Sequence, residues 1–215
     1  MRTKNTSCIQ INPDRIQPVQ IKRIAAVLRK GGVIAYPTDT FYGLGVDCFS
    51  QEAVQKIFRL KRRDYSKPLL VMVSGLRMVE GIVVSPPDVF WRLSRKFWPG
   101  PLTFVLKAKP LFPQGILSAD QSIAVRLPNP VWLRELVGRV GSPVTATSAN
   151  ISGEKEISSS GKVFEIFSGK VDLIVDGGET PGGLPSTIVD MTSRSPRILR
   201  EGAIPAAEIN KYLKA

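Results

Sequence analysis

The sequence predicts an α/β fold in which a mixed β-sheet is flanked by helices. Short apolar runs of strand length alternate with amphipathic segments of helix length along most of the chain. Clusters of Gly and Pro between these segments are short, and none resembles an interdomain linker. The chain of 215 residues is long enough to bury a core. We therefore expect a single domain over residues 1–215.

The helices are indicated by apolar residues that recur on one helical face. The first ends at Gly31, a residue type that tolerates the left-handed conformation at a helix end. The fourth has Asn129 as its predicted N-cap and Pro130 at its first position. The predicted ranges are 18–30, 51–62, 85–97, 130–140 and 163–167.

The strands are indicated by short apolar runs between turn-forming residues. We expect several of them to lie in one mixed sheet, and we predict that residues 37–45 form a loop. The predicted strands are 33–36, 69–73, 102–107, 123–127, 143–147, 173–175, 187–190 and 197–199.

The composition excludes several kinds of chemistry. The chain contains no histidine, which excludes Ser-His-Asp and Cys-His nucleophile systems and most zinc sites. It also lacks a P-loop motif. Cys8 and Cys48 lie outside any CxxC spacing, so we expect reduced thiols. Any reaction must therefore use carboxylates, hydroxyls, cations, backbone amides or a bound ion.

The charge and hydropathy patterns indicate a cytoplasmic protein with no membrane contact. No apolar run approaches the roughly 18 residues of a membrane span, and the first residues lack the apolar region of a secretory signal. Thirty Lys and Arg residues against 18 Asp and Glu residues give a formal net charge of +12. This balance indicates either a solvated basic surface or an anionic partner.

Four polar clusters follow predicted strands, where open α/β sheets bind ligands. Residues 147–150 supply hydroxyls, an amide and backbone N–H groups, which suit an anionic phosphate or carboxylate. Arg126 follows an apolar strand and suits a carboxylate. The clusters are residues 36–45, 61–69, 145–153, and 186–187 together with 200–202.

Four cations lie within seven residues at the end of the second predicted helix and just beyond it. They indicate either a solvated helix end or a clamp for phosphate, and the sequence alone leaves both interpretations open. The four residues are Lys61, Arg62, Arg63 and Lys67.

Seven blocks of sequence, taken in order, resemble the YrdC-like threonylcarbamoyl-AMP synthases over about residues 19–203. The resemblance implies a twisted, mixed α/β sheet with a concave basic surface. In one departure from longer relatives, we expect no additional C-terminal domain, since the chain ends soon after Arg200. The seven blocks are residues 30–45, 57–63, 97–103, 124–128, 148–153, 186–190 and 198–202.

The same resemblance implies an activity. Its members form threonylcarbamoyl-AMP and pyrophosphate from ATP, L-threonine and bicarbonate. Mg²⁺ would arrive with ATP, and no metal site on the protein is expected. The product would pass to a separate tRNA threonylcarbamoyl transferase complex, which modifies an adenosine next to the anticodon.

The matching positions imply three sets of site residues. L-threonine would be bound by Thr40, Arg126, Ala146 and Ser186. ATP would be bound by Arg63, Lys67, Ser122, Ser148, Asn150 and Arg200. Catalysis would depend on Lys61 and Arg63, whose charges would neutralise phosphate.

Two alternatives remain at this point. A protein of the same fold with a basic face could bind double-stranded RNA or tRNA without catalysing a reaction. A related carbamoyl-transfer module of hydrogenase maturation proteins is a weaker alternative, because its companion modules would not fit in this chain. ATP turnover that depends on threonine would separate a synthase from a binding protein.

Overall fold

The computed structural model describes residues 5–213, which form a mixed α/β fold of the predicted class. The helices pack against strands that run in both parallel and antiparallel pairs. The strands are β1 (Ser7–Gln10), β2 (Ile34–Pro37), β3 (Tyr42–Gly45), β4 (Val71–Met72), β5 (Leu102–Lys107), β6 (Ser122–Arg126), β7 (Val144–Thr145), β8 (Thr147–Ser148), β9 (Leu173–Asp176), β10 (Thr187–Asp190) and β11 (Arg197–Arg200).

The strands form two sheets in the described range, and six of them lie in one mixed sheet, as expected. The first sheet has the order β1-β9-β2-β3-β8, and the second has the order β11-β10-β5-β6-β4-β7. The predicted strand 143–147 is divided at Ala146. Before this residue β7 pairs with β4, and after it β8 pairs with β3. The chain thus passes from one sheet to the other at Ala146.

The prediction that residues 37–45 form a loop was wrong for the last four residues, which form β3. The strand pairs antiparallel with β2, and all four of its residues are buried. Its glycines concealed it in the sequence, since glycine is depleted in strands. The structure requires one of them for packing: a Cβ atom at Gly45 would lie 2.7 Å from Cε1 of the Tyr36 ring.

The helices agree with the periodic pattern, with small differences at their starts. The fourth predicted helix begins at Val131 with Pro130 as its N-cap, one residue later than predicted from Asn129. Two helices and β1 were missed because they are short or near the ends of the chain. The helices are α1 (Pro18–Arg29), α2 (Gln51–Lys61), α3 (Leu76–Ile82), α4 (Asp88–Phe97), α5 (Val131–Val140), α6 (Ser160–Phe167) and α7 (Ala206–Leu213).

Two hydrophobic clusters hold these layers together. One contains α1, α5 and the buried faces of β2 and β9, with Leu28 and Leu136 fully buried. The other contains an aromatic group in which Phe90 makes edge contacts with Trp98 and Phe104. Such ring pairs add to the stabilisation from burial. Both clusters reach the meeting point of the two sheets.

The cysteines and the helix lengths bear on two of the sequence expectations. Cys8 and Cys48 are free thiols, as predicted, and burial raises the pKa of the Cys48 thiol well above its ordinary value. No helix between residues 5 and 213 is both long and apolar enough to cross a bilayer.

Candidate active site

A cleft of about 280 Å³ opens where the two sheets meet. One wall comes from the segment between β2 and β3, and the other comes from β4, β6, β10 and β11. The structure brings seven of the predicted site residues to this cleft. They are Thr40, Arg63, Arg126, Ala146, Ser148, Ser186 and Arg200.

Arg126 is the last residue of β6, and two contacts fix its guanidinium group. Its Nε donates to the carbonyl oxygen of Gly100 at 3.0 Å, and its Nη2 lies 2.5 Å from Oδ2 of Asp39. The arginine side chain is 11% exposed, so the group is largely shielded from solvent. A guanidinium held in this way is well suited to bind a carboxylate.

A turn that is stabilised by the Thr38 hydroxyl holds Asp39 and Thr40 just before the start of β3. The Thr38 hydroxyl accepts from the backbone N–H of Thr40 at 3.1 Å and donates to the carbonyl of Phe41 at 2.7 Å. The hydroxyls of Thr38 and Thr40 lie 3.2 Å apart. This local turn is typical of Thr in loops, and it directs the Asp39 side chain to Arg126.

Ser186 and Arg200 form one unit on the opposite side. Both Nε and Nη2 of Arg200 donate to the carbonyl of Ser186, at 3.1 and 2.8 Å. The Ser186 hydroxyl lies 2.9 Å from the hydroxyl of Thr103, which is fully buried. Partial burial lowers the pKa of Arg200. The pairing places a hydroxyl and a cation side by side at the cleft.

Arg63 reaches the cleft because the chain turns sharply after α2. Arg62 caps this helix in the left-handed conformation, with φ of 49°. The guanidinium of Arg63 then donates to the carbonyls of Lys67 at 2.8 Å and Pro68 at 3.1 Å. Burial lowers the pKa of Arg63. The group is therefore positioned before any ligand is bound.

Lys61 is the last residue of α2, and it lies behind the cleft rather than on its surface. Its side chain is buried, and its Nζ donates to the backbone carbonyls of Ser148 and Asn150, the second at 2.7 Å. It also donates to Oδ1 of Asn150 at 2.9 Å. In turn the carbonyl of Lys61 accepts from the backbone N–H of Ser152 at 3.0 Å.

The electrostatic environment of Lys61 disfavours its charge. Burial and the neighbouring Arg63 lower the pKa of Lys61 to about 8, although Glu156 opposes this shift. Glu156 also lines the cleft and favours the charged form of Arg200. Three guanidinium groups and two carboxylates line the cleft, so cations outnumber acids there, and Glu156 interacts with Arg200.

Four predicted residues do not line the cleft in the described structure: Lys61, Lys67, Ser122 and Asn150. Lys67 is exposed. Ser122 begins β6, where its hydroxyl donates to Oδ1 of Asp120 at 2.8 Å. Because side chains alternate along a strand, Ser122 shares the strand face of Arg126. Its predicted role in binding ATP stays a prediction.

Asp39 and Glu156 line the cleft but were not predicted as site residues. Asp39 had a usable signal, since it is the one acidic residue in the block 36–45. Glu156 had no such signal, because it lies outside every sequence block that matches the family. The described residues contain no group of three or more His, Cys, Asp or Glu side chains that could hold a metal ion.

Comparison with known proteins identifies the family. A family model named Sua5_yciO_yrdC, described as telomere recombination, matches residues 26–202. The chain belongs to the Sua5/YciO/YrdC family. It is 37% identical over 200 residues to the threonylcarbamoyl-AMP synthase of Pyrococcus abyssi, and 35% identical over 196 residues to that of Bacillus subtilis. These alignments cover 93% and 90% of the chain.

The Sua5/YciO/YrdC fold is also seen in a solved structure of P. abyssi Sua5 in complex with L-threonine. That structure aligns with a TM-score of 0.90 and 37% identity over 97% of this chain. The chain spans 61% of the solved chain, and 59% and 56% of the lengths of the Pyrococcus and Bacillus relatives. The domain boundaries predicted from sequence stay a prediction.

Proposed function

We propose that this chain is an L-threonylcarbamoyladenylate synthase, which forms threonylcarbamoyl-AMP and pyrophosphate from ATP, L-threonine and bicarbonate. The observation that carries the proposal is the meeting of Arg126 and Ser186 with Arg63 and Arg200 in one cleft. This arrangement offers a carboxylate site beside a phosphate site. The names of the relatives, and the threonine bound to P. abyssi Sua5, support the same assignment.

L-threonine would be held at the Arg126 end of the cleft. Arg126 would bind its carboxylate, because a guanidinium can donate two parallel hydrogen bonds to that group. The hydroxyls of Thr40 and Ser186 would form hydrogen bonds with the polar groups of L-threonine. Ala146 and the buried Met72 border the same space and would accommodate its methyl group.

ATP would be held along the opposite side of the cleft. Arg63 and Arg200 would neutralise the phosphates, and the Ser148 loop would offer hydroxyl and backbone donors. Mg²⁺ would enter as the complex with ATP. The acids at the cleft are Asp39, which pairs with Arg126, and Glu156. This donor set suits a phosphate-held ion rather than a resident one.

The reaction needs no histidine and no covalent enzyme intermediate. The neutral threonine amine would add to the carbon of bicarbonate, with loss of water, to give a carbamate. A carbamate oxygen would then attack the α-phosphorus while the bond to the leaving pyrophosphate breaks. Positioning and charge neutralisation supply most of the catalysis in such phosphoryl transfer. The product would pass to a tRNA threonylcarbamoyl transferase complex.

The decisive experiment is a reconstitution with purified protein, Mg·ATP, L-threonine and bicarbonate. Threonylcarbamoyl-AMP should appear by mass spectrometry, and pyrophosphate release should require both threonine and bicarbonate. Equal release with ATP alone would contradict the proposal. Binding of tRNA should be measured in parallel, because phosphate contacts would make it fall steeply with added salt.

A further inference from the structure

The Lys61 ammonium lies where three carbonyl oxygens converge. These are the backbone oxygens of Ser148 and Asn150 and Oδ1 of the Asn150 side chain. An ammonium group has three protons and no acceptor, so these oxygens use its whole donor capacity. The side chain is 1% exposed. A phosphate oxygen would have to displace one of these carbonyls to contact Nζ.

The loop that receives these hydrogen bonds depends on Asn150. Its Oδ1 also accepts from the Ser148 hydroxyl at 2.7 Å, and its Nδ2 donates to the carbonyl of Glu154 at 2.6 Å. Both Oδ1 and Nδ2 of the Asn150 side chain are therefore hydrogen-bonded to other groups of the protein. Without the Lys61 cation, the Ser148 oxygen would keep the Asn150 backbone N–H and Oδ1 would keep the Ser148 hydroxyl, but the Asn150 backbone oxygen would be left without a donor among the described residues. A buried acceptor without a donor is strongly disfavoured.

The same contacts connect two parts of the cleft that are far apart in sequence. Arg63 follows Lys61 by two residues, and both Arg63 and Ser148 line the cleft. Lys61 and Ser148 are 87 residues apart along the chain. The Lys61 ammonium thus links the end of α2, which precedes Arg63, to the Ser148 loop.

We propose that Lys61 is a positioning residue, which joins the end of α2 to the Ser148–Asn150 loop and does not itself touch the nucleotide. The proposal rests on the proposed function, because it assumes that Arg63 and Ser148 face ATP. It replaces direct neutralisation of phosphate by Lys61 with an indirect role. Lys61 would hold the loop in the form that binds phosphate, and Arg63 would supply the contacting charge.

A double-mutant cycle on Lys61→Met and Asn150→Ala tests the proposal, with Mg·ATP affinity measured by calorimetry in the absence of threonine. Each single variant should lose affinity on the order of 10-fold, and the double variant should lose about the same amount, because both changes break one unit. Losses that multiply to about 100-fold would show that Lys61 acts independently of Asn150, and would overturn the proposal. Arg62→Ala is the matched control, since Arg62 is exposed and adjacent.

Lys61→Arg separates position from charge. The variant retains a cation, but a planar guanidinium cannot direct its donors to three oxygens that converge on one atom. Affinity should therefore fall as it does in Lys61→Met. Full Mg·ATP affinity in Lys61→Arg would mean that charge alone matters, and would overturn the proposal. Thermal unfolding of each variant should be recorded to identify any loss of folded protein.

Hydrogen exchange gives a readout that needs neither nucleotide nor activity. Backbone amides in residues 147–154 should exchange faster in Lys61→Met and in Asn150→Ala than in the unaltered protein, while β5 should remain protected. Unchanged exchange in that segment would overturn the proposal. Failure of the unaltered protein to bind Mg·ATP would instead contradict the proposed function, and the exchange comparison would still decide whether Lys61 orders the loop.

Discussion

Asp39 Oδ2 lies 2.5 Å from Arg126 Nη2, so the cation predicted to bind the threonine carboxylate already carries one acidic partner. The other carboxylate oxygen of Asp39 is buried, and no described residue donates to it. The pair is largely shielded, with 11% of the arginine side chain and 16% of the aspartate side chain exposed. Asp39 therefore contributes to the orientation of Arg126.

The first prediction concerns these two residues. Arg126→Ala should raise the KM for threonine on the order of 100-fold, because truncation removes the carboxylate partner and leaves Asp39 unpaired. Asp39→Asn should raise it by a smaller factor, about 10-fold or less, since an amide still accepts from Nη2. Steady-state kinetics with varied threonine would measure both. A lower KM in Asp39→Asn would show that Asp39 competes with the substrate carboxylate.

Arg63 is the subject of the second prediction. Arg63→Ala should lower turnover on the order of 100-fold, because it removes a positioned donor from the charge that develops on the leaving pyrophosphate. Arg63→Lys should recover only part of this loss, since a point charge cannot reproduce the planar fork. Formation of threonylcarbamoyl-AMP and thermal unfolding are the measurements.

Arg62→Ala is the neighbouring control for Arg63, because it removes an exposed cation from the same turn. Its effect on stability should stay within about 0.5 kcal/mol. Near-normal turnover in a well-folded Arg63→Ala protein would remove Arg63 from the proposed site. It would also weaken the transfer of the other family positions.

The third prediction concerns Gly202, which lies against the Ser186 backbone. A Cβ atom there would lie 2.7 Å from the carbonyl carbon of Ser186 and 2.8 Å from its oxygen, so the backbone must move. Gly202→Ala should therefore destabilise the protein by about 1–3 kcal/mol and raise the KM for threonine through displacement of Ser186. Urea unfolding and threonine kinetics would measure these effects.

Gly138→Ala is the control for Gly202. Gly138 is an exposed residue inside α5, where an added Cβ would make only an ordinary contact with Ser74 at 3.7 Å. This substitution should be neutral or stabilising by up to about 1 kcal/mol, with no effect on kinetics. A Gly202→Ala protein that equals Gly138→Ala in stability and KM would refute the close-packing account.

Sequence periodicity predicted five of the seven helices in the described range, because their signal is local. The apolar faces of α1, α2 and α5 are visible within a dozen residues, and only the cap positions were displaced. The change of sheet at Ala146 has no local signal, because Thr145 and Thr147 pair with strands that lie elsewhere in the chain. The strands with which residues 144–148 pair, and not the local strand propensity, decide where this segment changes sheet.

The sequence predicted part of the residues that line the candidate site, but not the contacts between them. The family resemblance supplied seven residues that the structure brings to one cleft. They could not supply the Asp39–Arg126 pair, whose members are 87 residues apart. They also could not show that Lys61 faces carbonyl oxygens, since a cation beside Arg63 has the same sequence pattern whether it contacts phosphate or backbone.

The last prediction concerns the pH dependence of stability that Lys61 produces. Its pKa is lowered from 10.5 to about 8 in the folded protein, mainly by burial. Below pH 8 the lysine is protonated in both the folded and the unfolded protein, so the folded protein bears the full desolvation cost of the charge. Between pH 8 and 10.5 the folded protein has released this proton and the unfolded chain has not. Since the unfolded state then binds more protons, the free energy of unfolding rises with pH through this group.

The measurement is urea unfolding of the unaltered protein and Lys61→Met at pH 7 and about pH 9.5, because methionine preserves the length of the side chain and cannot titrate. The free energy of unfolding of the unaltered protein, relative to that of Lys61→Met, should increase by about 1–2 kcal/mol between these conditions. Taking the difference cancels the titration of the other lysines and of the tyrosines, which both proteins share. A difference that stays constant, or that decreases as the pH rises, would mean that the folded environment does not lower the pKa of Lys61.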